Sequence, residues 1–214
     1  IDSRSIVEKY DKIMRRNSPE PGLTARQRLT LFHNTSVSAE QALNLDISQI
    51  SFQYLVSKNV MPVNIVSAGL KPYFLKKIGA ETPGALRRIG FDALSLVDPV
   101  FCSEMNGAYG ADAVVETFLA TPADAVALAG SEAMDILNIT LQQLLETCAG
   151  APVEASTVLT QAWNEQSTDS VVASTLLDTG LRAAQLKSIG FNIMNVQRLI
   201  TPTNDEFQKL GFKI

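Results

Sequence analysis

The sequence predicts an all-α fold in which short capped helices follow one another in tandem repeats, solenoid-like, around a middle section of longer helices. Three observations predict it: a motif recurs at ten-residue intervals, helix-capping residues stand between its copies, and strand-like segments are scarce. With 214 residues, the chain is long enough to bury a hydrophobic core without disulfides or a structural metal ion.

The recurring motif is an apolar residue, three further residues, a small residue and a second apolar residue. Its clearest copies span 65–70, 75–80, 86–91, 176–181, 186–191 and 207–212, and weaker copies span 32–37, 42–47, 55–60 and 196–201. Nine of the twelve glycines keep the ten-residue phase to within one residue, at positions 69, 79, 90, 110, 130, 150, 180, 190 and 211. Such a glycine predicts a left-handed residue that ends a short helix, with the two apolar residues touching across a Schellman cap, as for Leu86 and Phe91.

The joints between the copies predict where each following helix begins. Three joints place a threonine before a proline, which is typical of an N-cap followed by proline at N1. Others offer Ser, Asp or Asn, and one of these has the pattern of a capping box with Gln41. The predicted N-cap residues are Thr82, Thr121, Thr201, Ser38, Asp92 and Asn192.

Each unit is then about two helical turns long, too short to be stable alone, so it must pack against neighbouring units as in a solenoid. The alternative is an ordinary helical bundle punctuated by glycines.

We divide the chain into an N-terminal arm (1–28), short-helix repeats (29–101), an acidic section of longer helices (102–173) and further short-helix repeats (174–214). Within the third section, 111–119 and 132–148 have the periodicity of longer amphipathic helices. The chain begins at Ile1 rather than Met, which indicates a processed product or the ordered part of a longer protein.

Charge is segregated along the chain. Residues 1–88 contain thirteen basic and seven acidic side chains, and residues 182–214 contain five and two. Between Arg88 and Arg182 there is no Lys or Arg, but thirteen Asp and Glu. One interpretation is complementary assembly, in which the basic end of one copy meets the acidic middle of the next, or of another protein. The other is a solvated acidic face that keeps an apolar helical region soluble.

The residues for catalysis or metal binding are sparse. Cys102 and Cys148 have no disulfide or metal-site spacing and are expected to be buried structural thiols. His33 is the single histidine, and no nucleophile motif surrounds it. We therefore expect neither an enzyme nor a cofactor, and no apolar run reaches the ~20 residues that span a bilayer.

The segment 71–91 resembles the helix-hairpin-helix element of DNA-binding proteins. In that family, backbone amides of a Gly-apolar-Gly turn grip a phosphate, and nearby basic side chains add positive charge. Here the turn reads Gly79-Ala80-Glu81, so the second glycine is missing and a carboxylate stands in its place. The resemblance implies nucleic acid as an alternative partner, contacted through Lys76, Lys77, Arg87 and Arg88.

The motif is also similar to short tandem helical repeats of the Leu-x-x-x-Gly-Phe type in proteins of large DNA viruses and protists. The similarity covers about half of the chain and implies a scaffold or virion-type role. We expect a non-enzymatic structural, assembly or adaptor protein that contacts other protein subunits, its own copies included, within a cell or a virion. The candidate interface residues are Lys12, Arg15 and Arg16 of the arm together with the four basic residues of 71–91.

Overall fold

The computed structural model describes residues 23–164, 170–201 and 203–213. These residues form sixteen α-helices and two 3-10 helices, and none of them lies in a β-strand. Most of the α-helices have six to eight residues, and the two longest have eleven. The prediction of an all-α fold built from short helices in tandem is therefore confirmed.

The chain divides into two compact units, residues 1–70 and 71–214. In its described part, the first unit contains α1 (Ala25–Leu31), α2 (Ala39–Asn44), the 3-10 helix Ile47–Gln49, α3 (Phe52–Ser57) and α4 (Pro62–Ser67). Helix α1 packs against α2 and α4, and Leu31 and Ile65 are fully buried in this unit.

The second unit contains the remaining helices of the described chain. They are α5 (Pro72–Lys77), α6 (Pro83–Arg88), the 3-10 helix Ala93–Val97, α7 (Pro99–Tyr109), α8 (Ala111–Phe118), α9 (Pro122–Leu128), α10 (Ala133–Ile136), α11 (Leu141–Thr147), α12 (Pro152–Ala162), α13 (Ala173–Asp178), α14 (Ala183–Ser188), α15 (Ile193–Ile200) and α16 (Asn204–Leu210).

Left-handed residues occur at the positions that the ten-residue spacing predicts. All nine in-phase glycines have positive φ, between 71° and 121°. Asn59 and Asn138 occupy the equivalent place in two further copies, with φ of 55° and 54°. Asparagine tolerates this conformation better than other residues with a side chain, which explains why it can stand where the other copies have glycine.

The Schellman hydrogen bond closes seven copies of the motif. In each, the amide after the left-handed residue donates to the carbonyl five residues earlier, with N···O distances of 2.8–3.2 Å. The donor and acceptor pairs are Val60 and Leu55, Leu70 and Ile65, Ala80 and Leu75, Phe91 and Leu86, Ile139 and Met134, Phe191 and Leu186, and Phe212 and Phe207. The copy at 176–181 differs, because the amide of Leu181 donates to Thr179 Oγ1 instead, at 3.2 Å.

The apolar pair lies in the core in each of the six clearest copies of the motif. Leu86 and Phe91 are 0% and 1% exposed, and the rings of Phe207 and Phe212 meet edge to face with centroids 6.0 Å apart. Burying one such side chain stabilises the fold by about 1.5–3 kcal/mol. The motif therefore supplies both the end of a helix and its contact with the core.

Most predicted N-caps are confirmed. The side chains of Ser38, Asp92, Thr121 and Asn192 each accept a hydrogen bond from the amide three residues later, within a capping box. Thr82 occupies the N-cap before Pro83, but its side chain makes no capping bond.

The prediction for Thr201 is wrong. This residue ends α15 in the left-handed conformation, and Thr203 caps the following helix. Thr203 and Glu206 form a reciprocal capping box, with the amide of Thr203 donating to Glu206 Oε2 at 2.6 Å and the amide of Glu206 donating to Thr203 Oγ1 at 3.3 Å. A reciprocal capping box satisfies more backbone amides at the start of a helix than the side chain of a single threonine before a proline does.

Several elements of the second unit pack on the third element that follows them. These pairs are α5 with α7, α6 with α8, the 3-10 helix Ala93–Val97 with α9, α7 with α10, α9 with α12, and α13 with α16. Hydrogen bonds between neighbouring layers join residues 29 to 33 positions apart. For these elements about three ten-residue units separate one layer from the next, which is the solenoid-like stacking that short helices need.

The long helix predicted over 132–148 is wrong. The segment contains two helices, Ala133–Ile136 and Leu141–Thr147, separated at Asn138. Met134 to Ile139 is itself a copy of the motif, with asparagine at the left-handed position, and Thr140 begins the next helix with a capping box to Gln143. The helix predicted over 111–119 is confirmed as Ala111–Phe118.

The four sections drawn from the sequence differ from the two compact units. The boundary at residue 28 falls inside Ala25–Leu31, and the first run of repeats crosses from one unit into the other at residue 70. The longest helices, Pro99–Tyr109 and Pro152–Ala162, lie in or at the edge of the predicted longer-helix section. Residues 1–22 of the arm are outside the described residues.

Substituting alanine for Gly130 should destabilise the protein more than the same change at Gly150. Both glycines have φ near +70°, so each variant places a side chain in a conformation that costs about 1–2 kcal/mol. A Cβ on Gly130 would lie 2.4 Å from the carbonyl oxygen of Gln161, whereas one on Gly150 meets nothing within 4 Å. The close contact adds about 1–3 kcal/mol for Gly130→Ala, measurable by urea unfolding. Equal losses in the two variants would contradict the close approach at Gly130.

Candidate interaction surfaces

The basic residues of 71–88 contact the helices that follow them. Lys76 Nζ donates to the carbonyl of Ala108 at 2.7 Å, at the C-terminal end of α7, where a positive charge is favourable. The same ammonium lies 5.5 Å from the ring centroid of Tyr109, and Lys71 forms an ion pair with Glu104 at 3.2 Å. The repeat-bearing segment thus neutralises part of the acidic helices within its own unit.

Arg87 makes the most extensive of these contacts. Its guanidinium donates to both carboxylate oxygens of Asp124, at 2.8 and 3.1 Å, and to the carbonyl of Thr117 at 2.8 Å. Asp124 is 7% exposed, and its Oδ2 also accepts from the amides of Ala120 and Thr121, each at 3.1 Å. The carboxylate is therefore fully hydrogen-bonded, and the pair joins α6 to α8 and α9.

These contacts locate the sequence-predicted interface residues. Lys76 and Arg87 bind carbonyls or a carboxylate of their own chain, and Lys77 and Arg88 are exposed. Lys76 and Lys77 lie at the C-terminal end of α5, and Arg87 and Arg88 lie at the C-terminal end of α6. Lys12, Arg15 and Arg16 lie outside the described residues.

The hairpin-like turn already uses its own hydrogen-bond donors. The amides of Gly79 and Ala80 donate to the carbonyls of Lys76 and Leu75, at 3.2 and 2.9 Å. In the helix-hairpin-helix element, turn amides of this kind contact a phosphate. A phosphate bound at this turn would have to replace these two hydrogen bonds. Nucleic-acid binding by this segment therefore remains a prediction from the sequence.

We call residues 89–181 the acidic stretch. Eleven of its carboxylates belong to described residues, and eight of those are exposed. The exposed carboxylates are Asp92, Asp98, Asp112, Glu116, Glu132, Asp135, Glu146 and Asp178. Since the stretch has no Lys or Arg, its surface is strongly negative.

Exposed apolar side chains lie in the same stretch. Leu94 and Val100 are each 66% exposed, and Val153 is 74% exposed. A shallow apolar groove of about 310 Å³ runs between the 3-10 helix Ala93–Val97 and α9, and its lining includes Leu94 and Val126. Apolar surface beside carboxylates is the composition expected of a protein-binding surface with a polar rim.

A second groove lies in the first unit, between α1 and α4. It has a volume of about 550 Å³ and is lined by Arg26, Leu29, Thr30, His33, Val63, Asn64 and Ser67. We call it the first-unit groove. The sequence alone does not indicate this groove, because a leucine and a valine on short helices are expected at core positions. The spacing i, i+3, i+4 of Arg26, Leu29 and Thr30 on α1 is the one signal for a shared helix face.

Both cysteine thiols are buried. Cys102 and Cys148 are both 0% exposed, and burial raises the pKa of each thiol to about 11. His33 is exposed and belongs to the first unit, whereas both cysteines belong to the second. The interpretation of the cysteines as buried thiols is confirmed.

None of the described helices is long and apolar enough to cross a membrane. Within the described ranges, no three or more His, Cys, Asp or Glu side chains are grouped to hold a metal ion. In comparisons with known proteins, no family model matches the chain, and no curated protein or solved structure matches it significantly. The functional assignment therefore depends on the described surfaces.

Replacing Arg87 by methionine should lower the free energy of unfolding by about 3 kcal/mol, because it leaves the buried carboxylate of Asp124 without its cation. Lys71→Met is the matched control. It removes an ion pair whose lysine side chain is 70% exposed, and such pairs contribute about 0–1 kcal/mol. Both values come from urea unfolding followed by circular dichroism. Similar losses in the two variants would contradict a special role for the Arg87–Asp124 pair.

Native protein at pH 8 should react very slowly with a thiol reagent such as dithionitrobenzoate. A thiol with a pKa of about 11 is roughly 0.1% ionised at that pH, and burial also blocks access. In urea both cysteines should react within minutes, which serves as the control. Rapid release of one thiol equivalent from folded protein would show that one of the two side chains is accessible.

Proposed function

We propose that this chain is a non-enzymatic structural or adaptor protein that makes protein–protein contacts within a larger assembly. The observation that carries the proposal is the surface of the acidic stretch, with eight exposed carboxylates, no Lys or Arg, and exposed Leu94, Val100 and Val153. A partner protein whose surface is both basic and apolar would be complementary to the acidic stretch.

Electrostatics supports an interface in preference to an inert solvated face. Like charges along one surface repel one another and destabilise an isolated domain, whereas an opposite surface relieves the repulsion and speeds association. Solubility alone does not call for large apolar side chains at 66–74% exposure among those charges. The combination matches the mixed composition of non-obligate interfaces.

The chemistry of the described residues agrees with a non-enzymatic role. Both thiols are buried with a raised pKa, so neither is an activated nucleophile. The other ionised groups with short contacts pair with groups of the same chain, as Arg87 and Asp124 do. A scaffold role, a virion component included, is also what the resemblance to Leu-x-x-x-Gly-Phe repeats implies.

Light scattering coupled to size-exclusion chromatography tests the proposal on the full chain. We expect oligomers at low salt that dissociate at about 1 M salt, where the Debye length falls to about 3 Å. The double variant Glu116→Lys and Glu132→Lys, both exposed in the acidic stretch, should weaken association at least about tenfold.

The matched control is Glu40→Lys with Glu81→Lys, which changes net charge equally at exposed positions outside the stretch. Equal weakening in both double variants would mean that only net charge matters and would contradict an interface in the acidic stretch. A monomer at every salt concentration would contradict assembly from this chain alone.

A further inference from the structure

The first-unit groove is formed by faces of α1 and α4 that do not enter the core. Leu29 is 40% and Val63 is 68% exposed, and Val66, one turn after Val63, is 53% exposed. Leu31 and Ile65, on the same two helices, are fully buried. Leu29 of α1 and the two valines of α4 are therefore apolar side chains that the described residues leave uncovered.

Side-chain hydrogen bonds hold the two walls of the groove together. Asn64 Nδ2 donates to the carbonyls of Thr30 and His33, at 3.2 and 3.0 Å, and so satisfies acceptors at the C-terminal end of α1. Gln27 Nε2 donates to the carbonyl of Ala68, at 3.1 Å, at the end of α4. The groove is thus preformed, which lowers the entropic cost of binding a segment in it.

The charge of the groove indicates the chemistry of its occupant. Arg26 lines it, and within the described part of the chain its guanidinium has no ion-pair or hydrogen-bond partner. No Asp or Glu lines the groove. A guanidinium beside apolar surface favours a segment that places a carboxylate next to apolar side chains, since such an ion pair gains strength where water is partly excluded.

The acidic stretch has this composition. Asp92, Leu94 and Asp98 are all exposed on or beside the 3-10 helix Ala93–Val97, and Val153 is exposed on α12 next to Glu154. No lysine or arginine in the stretch would oppose Arg26. The same chain therefore carries both complementary surfaces.

We infer that the first-unit groove binds the acidic stretch of a second copy of this chain. The inference depends on the proposed assembly function and names the surface and the partner that serve it. Because the two surfaces differ, the contact is heterologous, so each copy has one groove and one acidic stretch to offer. Successive copies then join head to tail, in a ring or a chain.

Photo-crosslinking of the full chain tests the inference. p-Benzoylphenylalanine replaces Val63, and a mixture of ¹⁴N- and ¹⁵N-labelled copies separates crosslinks between chains from those within one chain. At low salt we expect crosslinks from position 63 of one copy to residues 89–181 of another. Crosslinks that stay within one chain, or that reach other segments of the second copy, would overturn the inference.

Charge variants give an independent readout. Arg26→Glu should weaken low-salt association at least about tenfold, because it places a carboxylate opposite the acidic stretch. Lys213→Glu, an equal charge change at an exposed cation that belongs to no proposed interface, should leave association within about twofold of the unchanged protein. Circular dichroism confirms that both variants keep their helix content.

The outcomes separate this inference from the proposed function. Oligomers that form at low salt, respond to Glu116→Lys with Glu132→Lys and ignore Arg26→Glu would leave the acidic interface intact and overturn the groove as its partner. A protein that stays monomeric at low salt would overturn docking of a second copy, and the acidic stretch would then need a basic partner other than this chain.

Discussion

The structure depends on a left-handed residue that ends a helix about every ten residues. At Gly90, for example, a positive φ turns the chain, the Phe91 amide returns to the Leu86 carbonyl, and both apolar side chains enter the core. Without that residue the helices would run on, and the apolar pairs would spread around a longer helix. Because helices of about two turns are unstable alone, the same constraint makes packing between layers obligatory.

Layer packing also explains part of the charge segregation. Several helices of the second unit lie on the third element after them, so basic residues of 71–88 meet helix ends and carboxylates some thirty positions later. Lys76 and Arg87 satisfy carbonyls there, and Arg87 neutralises Asp124. The basic repeats thus stabilise the acidic helices beside them, yet eight carboxylates remain at the surface. Those exposed carboxylates are available for contacts with a partner.

The first-unit groove and the acidic stretch have the same physical origin. A repeat of two-turn helices buries one apolar pair per unit and leaves the other positions free to vary, so new apolar or charged faces can appear without disturbing the core. The first-unit groove and the acidic stretch are faces of this kind. Neither depends on a reactive group, which agrees with the inert surroundings of Cys102 and Cys148.

The local interactions that end and begin the helices could be predicted from the sequence, because each involves residues within about one turn of one another. The in-phase glycines, the apolar pair of each motif and the caps at Ser38, Asp92, Thr121 and Asn192 are of this type. Asn138 was missed because asparagine is one of several residues that can adopt a left-handed conformation, and the sequence alone does not say when it does so.

The tertiary structure decided which residues far apart in sequence meet. The ion pair of Arg87 with Asp124 and the hydrogen bonds of Asn64 to the end of α1 each join residues more than thirty positions apart, and no local pattern encodes such contacts. The same holds for exposure: Leu29 and Leu31 look alike as sequence, but packing leaves one at the surface and buries the other. Local hydrogen bonds and steric limits fix the helix ends, whereas the faces that remain free for a partner follow only from how the layers stack.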